Sequence, residues 1–300
     1  MKNFVSICDL TRDDISDLIQ LALRLKDERK RGRFSRALEH KTVAMIFEKP
    51  STRTRTAFEV AITELGGHPL YLSWNELQLG RGEAVADTAR VLSRYVSGIV
   101  IRADRHSTVT EMASNASVPV INALSDREHP CQLLADLMTI YEKKGKLRDM
   151  KLAWIGDGNN VCNSAILACA IMGLSIDVAC PPGYEPNGEV VRTAQAVGHV
   201  RVLTEPLEAA AAADVLYTDT WVSMGDEATA AQRTRDLSAY CIDKHVLHAA
   251  KDDAIVLHCL PAHRGCEITD EVIDGPHSAV LDQAENRLHT QKALLKKLLV

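Results

Sequence analysis

Thr42-Val43-Ala44-Met45-Ile46-Phe47 runs directly into Glu48-Lys49-Pro50-Ser51-Thr52-Arg53-Thr54-Arg55, and this stretch decides the fold. The first six residues are β-branched or apolar without a break, the signature of a strand buried on both faces. Pro50 turns the chain and Ser51 can cap a helix that begins at once. Phe58, Ile62 and Leu65 mark one face of that helix, and Gly66-Gly67 stops it. The same rhythm recurs. Gly98–Arg102 and Val118–Asn122 read as strands, and Leu133, Leu134, Leu137, Met138 and Tyr141 share a helical face after His129-Pro130. A second block opens with the strand Leu152–Gly156 and the apolar helix Asn163–Gly173. The strands Ile176–Cys180, Val200–Leu203, Val215–Tyr217 and Ala254–Leu257 follow. Strands alternating with helices require parallel sheets covered on both faces. The expectation is two doubly wound α/β/α domains with parallel sheets, joined near residues 130–145, with the active site in the interdomain cleft.

Composition agrees. The chain has 300 residues, 46% hydrophobic and 25% charged, which suits a globular protein of about two domains. Aromatics make up only 4%, so the core is aliphatic. A formal net charge of −5 argues against a nucleic-acid partner. The basic stretch from Arg24 to Arg36 is read as a solvated helix end and loop, because no aromatic beyond Phe34 is interleaved for stacking. None of the 8 cysteines forms a C-x-x-C pair, the N-terminus carries no apolar targeting segment, and no apolar run approaches a membrane span. The reading is a cytoplasmic protein with reduced thiols and no membrane partner.

In open α/β sheets ligands bind beyond the carboxyl ends of the strands, so the polar residues there carry the chemistry. At Ser51-Thr52-Arg53-Thr54, hydroxyls and a guanidinium sit on the first turn of a helix, where backbone N–H groups and the dipole already favour an anion. Arg adds bidentate contacts, and the stretch is a phosphate cradle without a Walker loop. Gly156-Asp157-Gly158-Asn159-Asn160 invites a dinucleotide reading. The third glycine of that fingerprint would fall at Val161, which disfavours a nicotinamide enzyme. His258, Cys259, His263 and Cys266 do not have zinc-finger spacing, and strand neighbours 258 and 259 point to opposite faces, so no metal is assigned.

Ser51-Thr-Arg-Thr-Arg, His129-Pro130-Cys131-Gln132, Asp219-Thr-Trp-Val-Ser223-Met224-Gly225, His258-Cys259-Leu260-Pro261 and Ala284-Glu285-Asn286-Arg287-Leu288-His289 occur in one order. Together they resemble the carbamoyltransferases, specifically the ornithine-using branch, over essentially the whole chain. The resemblance implies transfer of a carbamoyl group from carbamoyl phosphate to the side-chain amine of L-ornithine, giving citrulline and phosphate without cofactor or metal. It implies a carbamoyl phosphate domain at 1–133 plus 283–300 and an ornithine domain at 134–282. It also implies a homotrimer or a multiple of trimers.

By the same resemblance Ser51, Thr52, Arg53 and Thr54 hold the phosphate, while Arg102 and His129 with Thr54 polarise the carbonyl. Gln132 would accept from the carbamoyl NH₂. Gln78, Pro130, Cys131, Cys259, Leu260 and Arg287 complete the carbamoyl phosphate set. The departure from relatives at Arg81-Gly82 leaves open whether the Gln78 loop reaches a neighbouring subunit. Asn160, Asp219, Ser223 and the Met224 backbone would bind ornithine, with Asn159 shaping its loop and Gly225 allowing closure. The pair of Cys259 and Asp219 would accept the amine's proton or orient the neutral amine, with the leaving phosphate as a competing acceptor. Arg53, Arg102, His129 and Cys259 are the catalytic set. A carbamoyltransferase for putrescine or an acylated ornithine is the alternative reading.

Overall fold

The computed structural model describes residues 2–222 and 227–300. It divides into two compact units, Met1–Met138 with Glu285–Val300, and Thr139–Ala284.

The first unit is built on β1 (Thr42–Phe47), β2 (His68–Ser73), β3 (Gly98–Arg102) and β4 (Val120–Leu124), all parallel, in the order β2-β1-β3-β4. The chain steps outward from β1 to β2, then returns to the other side of β1 for β3 and β4. Right-handed crossovers taken in opposite directions place helices on opposite faces of the sheet. Strands β1 and β3 are buried along nearly their whole length, as their unbroken apolar runs require. Ala44, Ile46, Ile99, Ile101, Val109 and Met112 form part of the aliphatic core. Phe4 bridges Ile121, so the N-terminal segment lies along the free edge of β4.

The second unit carries β5 (Lys151–Ile155), β6 (Ser175–Ala179), β7 (Val200–Leu203), β8 (Val215–Thr218) and β9 (Ile255–His258), again all parallel, in the order β7-β6-β5-β8-β9. The helix Asn160–Met172 is buried at almost every position. This explains its hydrophobicity all round.

Strand order reverses between β1 and β3 in the first sheet, and between β5 and β8 in the second. These switch points open crevices at the carboxyl strand ends. Ser51 follows β1 and Arg102 ends β3, while Asn159 and Asn160 follow β5 and Asp219 follows β8.

Three details differ from the sequence reading. The sequence pattern did not mark β2, because His68-Pro69-Leu70-Tyr71-Leu72-Ser73 is a half-exposed edge strand holding a proline. The third strand is Val120–Leu124, two residues later than expected, and the helix expected from Asn163 starts at Asn160. In the basic stretch, Lys26 is buried against Asn286 at 2.8 Å, Arg29 pairs with Glu64 and Arg31 with Asp27. Burial takes Lys26 off the surface, and Arg29 and Arg31 each face a carboxylate. Among the described residues no helix is long and apolar enough to cross a membrane.

Candidate active site

In the first unit, Ser51 caps the helix Thr52–Glu64, its Oγ accepting from Thr54 N–H at 3.4 Å. Thr52 is exposed and Arg53 half-buried. Arg53 has no hydrogen bond or ion pair among the described residues, whereas Arg55 is engaged with Glu59 and lies over the Tyr71 ring. An unpaired guanidinium on a helix N-terminal turn is a site prepared for an anion.

Thr54 is buried, and its Oγ1 accepts from Arg287 Nη2 at 2.9 Å. Arg287 Nη1 donates to Gln132 Oε1 at 2.5 Å, and Gln132 Nε2 donates to Asp136 at 2.8 Å. One buried Arg on the C-terminal helix therefore fixes two residues that are far apart in sequence. The Cys131 thiol turns inward and donates to the Asn122 carbonyl at 3.3 Å. Burial pushes its pKa up to about 12. Cys131 is therefore a protonated thiol tied to β4 and offers no thiolate to a ligand. Pro130 begins the helix Pro130–Lys144. Gln78 is exposed in the connection after β2.

His129 is buried, with the Arg287 and Arg102 guanidiniums nearby, and its pKa lies well below the usual histidine value, chiefly through burial. The imidazole is neutral at pH 7 and can donate one hydrogen bond to a carbonyl oxygen without competing as a cation. A consequence can be measured. The unfolded chain takes up this proton near pH 6.5, whereas the folded site refuses it, so stability is lost as pH falls below that value. The slope tends to about 1.4 kcal/mol per pH unit until the folded site itself titrates. Urea midpoints between pH 7.5 and 5.5 should therefore fall more steeply for the wild type than for His129→Gln. Equal slopes would refute a neutral His129.

In the second unit, Asp219 is buried just beyond β8. Its Oδ1 accepts from Cys259 Sγ–H at 2.8 Å and its Oδ2 from Asn159 Nδ2–H at 2.8 Å. Asn160 is half-buried at the start of its helix. Gly158 is obligatory, because a Cβ there would lie 2.2 Å from Pro186 N. Ser223, Met224 and Gly225 lie outside the described residues. The stem before them is held by Arg233, which donates to Trp221 O and pairs with Asp157.

Strand β9 stops at His258, so strand alternation does not separate residues 258 and 259. Ligand atoms of Asp219, His258 and Cys259 all lie within 4.8 Å of one another. Both His258 nitrogens are nevertheless engaged. Nδ1 accepts from Leu260 N–H at 2.9 Å, which puts the ring proton on Nε2, 3.1 Å from buried Glu267. A neutral histidine used in this way holds the backbone at Leu260, whose φ is +57°, and is not left available to an ion. His263 is likewise engaged, with Thr220 at 2.9 Å.

Sequence reasoning did not identify Asp136, Arg233 or Glu267. Arg233 acts on Asp157, 76 residues away, and Glu267 reaches His258 from a loop, whereas Asp136 lies one helical turn from Gln132, an i, i+4 spacing that the sequence did offer. Asn159 was readable only as a loop former.

A family model described as the carbamoyl-P binding domain of aspartate/ornithine carbamoyltransferase matches residues 2–142, and the Asp/Orn binding domain of the same family matches 148–298. The chain belongs to the aspartate/ornithine carbamoyltransferase family. It is 55% identical over 300 residues to an ornithine carbamoyltransferase of Archaeoglobus fulgidus, covering 100% of this chain and 98% of that one. The solved ornithine carbamoyltransferase of Pyrococcus furiosus superposes with a TM-score of 0.96 at 49% identity, covering 99% of this chain and 97% of that one. The Thermus thermophilus structure gives 0.92 at 43% identity, with 100% and 99% covered. Within this carbamoyltransferase, Ser51, Arg102 and His129 lie within the carbamoyl-P binding match, whereas Arg287 lies within the Asp/Orn binding match although it belongs to the first unit. Asn159, Asp219 and Cys259 lie in the second unit and within the Asp/Orn binding match.

Proposed function

We propose that the chain is an ornithine carbamoyltransferase whose two units each hold one substrate. The observation that carries this is the split of charge. In the first unit Arg53, Arg102 and Arg287 accompany a neutral His129, and in the second a carboxylate, Asp219, is held by a thiol and an amide. A phosphorylated acyl donor suits the former and a cationic amine the latter.

Ser51, Thr52, Arg53 and Thr54 cradle the phosphate, with Gln78, Pro130, Leu260 and the Cys131 backbone completing the set. Arg102 and His129 donate to the carbonyl oxygen, where charge develops during addition. Gln132 accepts from the carbamoyl NH₂ with the lone pair that Arg287 leaves open. Asn160, Ser223 and the Met224 backbone bind the amino-acid end of ornithine, and Asp219 meets its side-chain ammonium. After that ammonium loses a proton, the amine nitrogen forms a bond to the carbonyl carbon. The bond to the phosphate oxygen breaks, and phosphate leaves with its electron pair and takes up the second proton that the nitrogen gives away. No step calls for a metal or redox cofactor.

The enzyme works in the cytoplasm, a setting that its eight free thiols fit. It assembles as a homotrimer or a multiple of trimers. The open edge of β2 and exposed Leu70, Val91 and Tyr95 on the first unit support association of copies. Light scattering should give three times the 32.9 kDa chain mass, or a multiple of it.

One assay tests the assignment. Carbamoyl phosphate is offered with ornithine, acetylornithine, putrescine and aspartate, and carbamoylated product and phosphate are scored. Citrulline with matching phosphate is expected from ornithine. Product from putrescine without product from ornithine would overturn the substrate.

A further inference from the structure

Asn159 makes two sets of contacts at once. As the N-cap of the helix Asn160–Met172, its Oδ1 accepts from Val161 N–H at 2.9 Å and Cys162 N–H at 3.1 Å. With the oxygen committed to the helix, the amide has only one orientation, and its NH₂ must face away from the helix end. There Nδ2 donates to Asp219 Oδ2 at 2.8 Å. The other carboxylate oxygen receives the Cys259 thiol at 2.8 Å. His258 is the further titratable neighbour, within 4.8 Å. An ionised carboxylate offers about four acceptor positions. Two are filled by donors on different elements, so the carboxylate plane is fixed and the remaining positions have set directions. One donor is mounted on a helix buried at almost every residue, a rigid support for a functional group.

We propose that Asn159 is the positioning residue for Asp219, converting the N-cap of one helix into a fixed fork that aims the amine-binding carboxylate. The inference rests on Asp219 being the group that meets the side-chain amine of ornithine.

Asn159→Ser separates capping from aiming. Serine caps as well as asparagine, so the melting temperature should stay within about 3 °C. Its hydroxyl replaces the acceptor but removes the amide donor to Asp219. The kcat/KM for ornithine should fall about tenfold or more, the scale of a hydrogen bond to a charged group, while the KM for carbamoyl phosphate stays unchanged. Asn159→Asp also keeps the cap, but sets a second carboxylate against Asp219. The two must then share a proton, and the same ornithine-confined loss is expected. Asp219→Asn is measured alongside. If both Asn159 variants use ornithine normally while Asp219→Asn is impaired, Asn159 is only a cap and the inference is overturned. A loss shared equally by both substrates would overturn it too. Normal ornithine use by Asp219→Asn would instead place the fault in the reading of Asp219.

Discussion

Arg53→Ala should lower kcat/KM for carbamoyl phosphate by roughly 10³-fold while leaving the melting temperature nearly unchanged. The two halves of this expectation have one origin. Arg53 is half-buried on the first turn of the helix Thr52–Glu64 and has no hydrogen bond or ion pair among the described residues. Nothing in the fold depends on its guanidinium, so its removal costs little stability. The same turn supplies unpaired backbone N–H groups and the positive end of the helix dipole. A departing phosphate gains charge as the bond to the carbonyl breaks, and a guanidinium is the side chain that meets two of its oxygens together. Arg53→Lys should recover only part of the loss, because an ammonium returns the charge without the planar fork. Neighbouring Arg55 is not a substitute, since it is already engaged with Glu59 and Tyr71. Near-normal citrulline production by Arg53→Ala would sink the placement of the phosphate.

The sequence was most legible where one residue type answers one physical demand. Strands β1 and β3 are buried along nearly their whole length and therefore read as unbroken apolar runs. Strand β2 lies at the sheet edge with Pro69 inside it, so neither alternation nor an apolar run marked it. The candidate site follows the same division. Ser51, Arg102, Asp219 and Cys259 stand at or just after strand ends, and a doubly wound sheet makes those positions conspicuous from the order of residues alone. Their supports were hidden. Arg233 pairs with Asp157 across 76 residues of sequence, and Asn159 turns its amide to Asp219 across 60. Such partners are chosen by tertiary proximity, and a single sequence does not record proximity. Strand alternation does not reach residues 258 and 259 for a related reason. It requires a strand that continues, whereas β9 ends at His258.

Cys259→Ala tests the other half of the chemistry, and it should cut kcat/KM for ornithine about 10²-fold while moving the KM for carbamoyl phosphate far less. The thiol gives its hydrogen to Asp219 Oδ1 at 2.8 Å, so its removal deprives the carboxylate of one of its two donors beside the proposed amine position. The loop itself should survive. Leu260, at φ +57°, is held by its N–H on His258 Nδ1, and His258 is backed in turn by buried Glu267. None of these contacts involves the sulfur. Cys259→Ser restores a donor of similar reach and should regain part of the activity, whereas alanine cannot. Calorimetric binding of carbamoyl phosphate alone separates the possibilities: it should persist in both variants. Its loss, with ornithine use intact wherever the first substrate still binds, would move Cys259 from the amine to the carbamoyl group.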